Sequence, residues 1–137
     1  MSALAQADST TIVQMFLAAM FGTALATPRI FYGWRNEILS HGLFCIGSAG
    51  AVHAIYAVSP SLDPAIAAAE IVTAASPLCL ATALRPRLRE PRLLLPAALL
   101  CAVAAGAFCG AGNVDLGGLL CVTGTSAIWY VISMINA

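Results

Sequence analysis

Residues 93–111 read LLLPAALLCAVAAGAFCGA, nineteen consecutive residues without a charged side chain. An apolar run of this length can cross the hydrocarbon core of a bilayer as a helix. Small residues recur in it at every fourth position and form a ribbon along one helix face: Ala98, Ala102, Gly106 and Gly110. Lipid provides no hydrophobic drive for helices to associate, so such a ribbon favours association through close backbone approach. The stretch predicts a transmembrane helix packed tightly against another helix, either of its own chain or of a partner.

Four further apolar runs of similar character occur in the chain. The five predicted spans cover residues 11–27, 38–58, 62–84, 93–111 and 116–136, approximately. Pro28 and Arg29 are expected to end the first span, and Pro64 suits the first turn of the third. We therefore predict an all-α integral membrane protein, a single domain over residues 1–137. Its fold would be a bundle of five transmembrane helices, with four as the alternative count.

The overall composition supports a membrane environment. Hydrophobic residues make up 61% of the 137 residues and charged residues only 9%. A soluble domain of this size needs more polar side chains to cover its surface. The formal net charge is zero, so there is no basic surface to indicate nucleic-acid binding.

The few charges alternate between the two sides of the predicted bundle. Four of the six arginines form a cluster in the third connection: Arg85, Arg87, Arg89 and Arg92. Arg29 and Arg35 flank the first connection, whereas the second and fourth hold only Asp63 and Asp115 as charged residues. By the positive-inside rule, the arginine-bearing connections face the cytoplasm or its organellar equivalent. The N-terminus is then outside and the C-terminus inside, in a bacterial inner membrane or an organellar inner or thylakoid membrane.

An aromatic segment lies in the first connection. Its predicted interfacial anchors are Arg29, Phe31, Tyr32, Trp34 and Arg35. Aromatic rings concentrate at the headgroup level, where their amphipathic character is satisfied. The segment is therefore expected to set the depth of the first two helices, with an aromatic ligand platform as the less common alternative.

Two polar residues inside the spans are the candidates for a functional site. Glu70 lies about 10 Å inside the third span at 1.5 Å per residue, too deep for its short side chain to reach water. An intramembrane carboxylate is costly and marks a functional site unless it serves packing or subunit contact. His53, near the outer end of the second span, is its predicted partner. Such a pair would relay a proton, bind a cation or satisfy its own hydrogen bonds.

Few other residues are candidates for a catalytic or ligand-binding role. Five cysteines lie within apolar runs without a CxxC pair, so they are expected to be packing residues, with a Cys109–Cys121 bridge as an open alternative. The two histidines are twelve residues apart, too far to share one haem iron within a helix. Since no metal, phosphate-binding or nucleophile motif occurs, we expect no metal site and no enzyme activity.

Three functions remain. The first is a non-catalytic accessory or structural subunit of a larger membrane complex, bioenergetic or transport, whose partners are other membrane subunits and lipids. The second is a small oligomeric transporter or channel that uses Glu70 and His53. The third is a pigment- or haem-binding subunit in which His53 is the axial ligand to haem or chlorophyll.

Overall fold

The computed structural model describes residues 2–30, 37–84 and 94–136. These residues form five α-helices and no strand. The helices are α1 (Ser2–Ile30), α2 (Glu37–Val58), α3 (Pro64–Ala81), α4 (Leu94–Gly110) and α5 (Val114–Asn136), with a short 3-10 turn at Thr82–Leu84 after α3. The predicted all-helical fold is confirmed at this level.

Four of the helices are long and apolar enough to cross a membrane. The qualifying segments are Ser9–Pro28, Leu39–Val58, Pro64–Leu84 and Val114–Ile135. The described part of α4 is apolar but shorter, with 17 residues. Helix α1 continues through Pro28 to Ile30, beyond the point where Pro28 was expected to end the first span. A proline this close to a helix end removes only one backbone hydrogen bond, so the last turn persists.

Local sequence signals determine where α3 begins and where α4 ends. Asp63 caps α3, its carboxylate accepting a hydrogen bond from the backbone N–H of Ala65 at 2.9 Å, and Pro64 occupies the first turn. Helix α4 ends in a Schellman motif, in which Gly112 adopts a φ of 88°. The backbone N–H of Asn113 then reaches the carbonyl oxygen of Phe108 at 2.9 Å.

Helix α4 is the centre of the bundle. It packs against all four other helices, and twelve of its 17 residues are buried. Helix α1 contacts α2, α4 and α5, whereas α3 contacts only α2, α4 and its own 3-10 turn among the described elements. Helix α3 therefore lies at the edge of the bundle, with one side not covered by its own chain.

The ribbon on α4 lies inside the monomer. A Cβ atom added at Gly106 would overlap the carbonyl oxygen of Cys45 and the hydroxyl oxygen of Ser48. At Gly110 it would lie 2.7 Å from the carbonyl oxygen of Ala49. Helices α2 and α4 therefore touch backbone to backbone, and only glycine fits at these two positions.

The contacts give each helix a direction. Cys45 and Ala49 of α2 meet Gly106 and Gly110 of α4 in the same order, so these helices run parallel. Helix α3 runs antiparallel to α4, because Cys79 shares a buried cluster with Leu95 while Ala67 shares another with Ala107.

Helix α5 runs opposite to α4. Gly117 near its start packs on the carbonyl oxygen of Ala105, and Gly124, further along, packs on the side chain of Cys101. Helix α1 runs antiparallel to α2, since Gly22 packs on Gly42 whereas Met15, earlier in α1, packs on Gly50. Successive helices therefore alternate in direction throughout the chain.

Gly106→Ala should lower the free energy of unfolding by about 1–3 kcal/mol or more, because the added methyl group pushes against α2 backbone. Gly47→Ala is the matched control on α2, since nothing lies within 4 Å of an added Cβ there. Its stability should be unchanged or raised, because alanine favours helix over glycine. The measurement is a denaturant titration in detergent micelles. Equal effects of the two substitutions would contradict the described α2–α4 contact.

Candidate functional site

Glu70 lies on the side of α3 that its own chain leaves uncovered. The residue is exposed and sits six residues after Pro64, roughly 9 Å along the helix axis. No hydrogen bond or ion pair joins it to another described residue. The carboxylate is therefore held neither by the bundle core nor by a partner on a neighbouring helix.

Glu70 belongs to a continuous surface that we call the α3 outward face. Its members are the exposed residues that share one side of the helix: Ile66, Ala69, Glu70, Thr73, Ala74 and Pro77. Each member lies three or four residues from another, which places them on one side of the helix. Three of the six are small (Ala69, Thr73 and Ala74), so a second helix is able to approach this face closely.

The middle of this face contains polar backbone and hydroxyl groups. The Thr73 hydroxyl donates to the carbonyl oxygen of Ala69 at 2.9 Å. Pro77 has no N–H, so the carbonyl of Thr73 lacks the donor that a regular helix provides. The face thus combines a carboxylate with hydrogen-bond acceptors one turn away.

His53 does not pair with Glu70 in this structure. It is half-buried on α2, and its Nε2 atom is enclosed without a hydrogen-bond partner. Its neighbour Val52 shares a buried cluster with Ala67 and Ala68, which lie two to three residues before Glu70 in α3.

Gln14 Oε1 and Tyr56 OH are also buried without a hydrogen-bond partner among the described residues. Sequence reasoning passed over both residues. The sequence feature that could have identified them is the one that identified Glu70: each is a polar side chain within an apolar run. Hydroxyl and amide groups are frequent inside membrane helices, so the signal was weaker for these residues than for a carboxylate.

The cysteines are free thiols, and two of them bind the backbone of α1. The Sγ atom of Cys109 donates to the carbonyl oxygen of Gln14 at 3.3 Å, and that of Cys121 to the carbonyl oxygen of Phe21 at 3.6 Å. Among the described residues no group of three or more His, Cys, Asp or Glu side chains is arranged to hold a metal ion.

Two surface pockets lie away from Glu70 and His53. A pocket of about 310 Å³ opens between the start of α3 and the α4–α5 turn, lined by residues that include Asp63, Phe108 and Asn113. A second, of about 420 Å³, lies along α5 beside Trp129 and Tyr130. Neither pocket gathers a set of groups that indicates a reaction.

The other sequence-predicted residues divide into two groups. The ribbon residues Ala98, Ala102, Gly106 and Gly110 are all buried in the bundle. The side chains of the predicted interfacial anchors and of the arginine cluster lie outside the described residues: Arg29, Phe31, Tyr32, Trp34, Arg35, Arg85, Arg87, Arg89 and Arg92.

No family model matches this chain, and no curated protein or solved structure matches it either.

A double-mutant cycle tests the separation of Glu70 and His53. The coupling energy between Glu70→Gln and His53→Ala should stay below about 0.5 kcal/mol, because separated residues contribute independently to stability. The measurement is unfolding of the four proteins in micelles. Cys79→Ala with Leu95→Ala provides a control pair from one buried cluster, for which a clear coupling is expected. A Glu70–His53 coupling above about 1 kcal/mol would show that the two side chains interact.

Proposed function

We propose that this protein is a non-catalytic accessory subunit of a larger membrane protein complex, bioenergetic or transport, and that α3 is the helix that meets its partner. The observation that carries the proposal is the position of Glu70, exposed on the edge helix and without a partner among the described residues. A chain with such a group is chemically incomplete on its own in a bilayer.

A carboxylate surrounded by hydrocarbon is energetically costly. Charged side chains at the centre of a membrane helix cost about 3 kcal/mol on insertion scales, and more when no water or partner reaches them. Protonation removes the charge but leaves a hydroxyl donor and a carbonyl acceptor to be satisfied. Glu70 lies roughly 9 Å from the start of α3, farther than its side chain extends. A protein neighbour supplies what lipid tails do not.

The transporter alternative has less support. A path through the monomer would need a polar gap between helices, yet α2 and α4 touch backbone to backbone at Gly106 and Gly110. The two residues proposed to line the path, Glu70 and His53, are not joined by a hydrogen bond. A transport path would therefore have to lie between this chain and a neighbouring chain, and that arrangement also requires a partner at α3.

We further propose that all five helices cross the membrane, with the N-terminus outside and the C-terminus inside. Helix α4 supports this count because it runs beside α3 from the level of Cys79 to the level of Ala67, most of the length of that helix. The alternating helix directions place the first and third connections, which carry the arginines, at the same end of the bundle. The positive-inside rule makes that side the cytoplasm or its organellar equivalent.

Labelling with a membrane-impermeant maleimide tests the orientation. Ser61→Cys, in the exposed connection between α2 and α3, should react on the outer surface of intact cells or sealed vesicles of known sidedness. Arg87→Cys should react only after permeabilisation. The unaltered protein gives the background, because its five cysteines are buried or half-buried. The reverse labelling pattern would overturn the proposed orientation.

Native mass spectrometry tests the subunit proposal. Protein extracted gently from its own membrane should appear in an assembly of fixed stoichiometry with other proteins. Ala74→Leu, which adds bulk to the α3 outward face, should reduce the assembled fraction several-fold. Ala127→Leu is the matched control, an exposed alanine on α5 that should leave assembly unchanged. A protein found only alone, or only with copies of itself, would refute the subunit role.

A further inference from the structure

The α3 outward face combines a line of residues on which a helix can pack with one carboxylate beside that line. Its small residues Ala69 and Thr73 and its proline Pro77 are four residues apart, so they form one line along the helix. Glu70 stands beside that line with its carboxylate uncovered by its own chain. A neighbour that packs on the line is therefore brought into contact with the carboxylate.

We propose that this face binds a transmembrane helix of a different protein, and that the partner helix carries an arginine or lysine at the depth of Glu70. This inference rests on the proposed subunit function and names the chemistry of the partner. In a low-dielectric interface an ion pair with good hydrogen bonds satisfies both charges, whereas an unpaired charge on either side is costly.

A second copy of this chain fits the face less well than a different protein. The chain contains no lysine, and its six arginines are at positions 29, 35, 85, 87, 89 and 92. None of these positions lies within α2, α3, α4 or α5, and Arg29 is in the last turn of α1. Packing α3 against α3 would also bring two copies of Glu70 together without a basic residue to balance them.

The acceptors near Glu70 suit a cationic donor. The carboxylate presents two oxygens, and Thr73 lies one turn further along the same face. The Thr73 carbonyl lacks its usual helical donor because residue 77 is proline. A guanidinium with five N–H donors or an ammonium with three is able to serve the carboxylate and this carbonyl together.

Photo-cross-linking identifies the partner directly. A p-benzoylphenylalanine at Ile66, one turn above Glu70 and exposed, should cross-link in the native membrane to a transmembrane segment of another protein. That segment should contain an arginine or lysine within about two turns of the cross-linked residue, given 3.6 residues per turn. The same probe at Val122, exposed on α5, is the control and should not give this product.

The charge is tested in the assembled complex. Glu70→Gln keeps the size of the side chain and should weaken association at least roughly 30-fold, as expected for breaking a desolvated ion pair. Exchanging the charges, with Glu70→Arg and the partner's basic residue changed to glutamate, should restore most of the association. The isolated Glu70→Gln chain should unfold like the unaltered protein, which separates loss of binding from loss of fold.

The experiments distinguish failure of the proposed ion pair from failure of the proposed subunit function. A cross-linked partner without a basic residue near Glu70, or an unchanged affinity of Glu70→Gln, overturns the ion pair while the subunit role stands. Cross-links only to another copy of this chain, whether to its α3 or to the region of His53, overturn the heterologous partner. The absence of any assembly in native mass spectrometry overturns both.

Discussion

The contact between the backbones of α2 and α4 is the constraint on which the fold depends. At Gly106 and Gly110 the absence of a side chain lets α4 lie directly on the carbonyl groups of Cys45 and Ala49. In lipid this closeness replaces the hydrophobic effect, because dispersion between touching surfaces holds the helices together. With α4 fixed in this position, α1 and α5 pack along its other sides, and α3 is left at the edge.

The edge position of α3 determines how Glu70 behaves. Had α3 been the central helix, the carboxylate would have met donors from its own chain or remained buried and neutral. At the periphery it faces outward together with Thr73 and Pro77. The two helices therefore differ in role. The small residues of α4 hold the bundle together, whereas α3 exposes a carboxylate on the outside of the monomer.

The fold could be predicted from sequence further than the site could. Apolar run length identified the helices, and the fourfold spacing of small residues on α4 correctly indicated a tightly packed face, although not which helix it meets. The structure shows no hydrogen bond between Glu70 and His53, the pair that the sequence suggested. Helix α3 is apolar and alanine-rich on every side, so no amphipathic pattern tells which side faces inward. A rotation of roughly 100° per residue separates His53 from Val52, the residue that reaches α3.

The α2–α4 contact also has a consequence for the order of assembly. Helices α1 and α2 leave the ribosome before α4, so the surface of α2 that receives Gly106 and Gly110 lacks this contact until α4 has been synthesised. Helix α3, made in between, touches α2 and α4 but not α1 or α5 among the described residues. The monomer is therefore completed by a contact between helices that are distant in sequence. Until α4 is in place, the α2 surface at Cys45 and Ala49 is open to another helix with small residues.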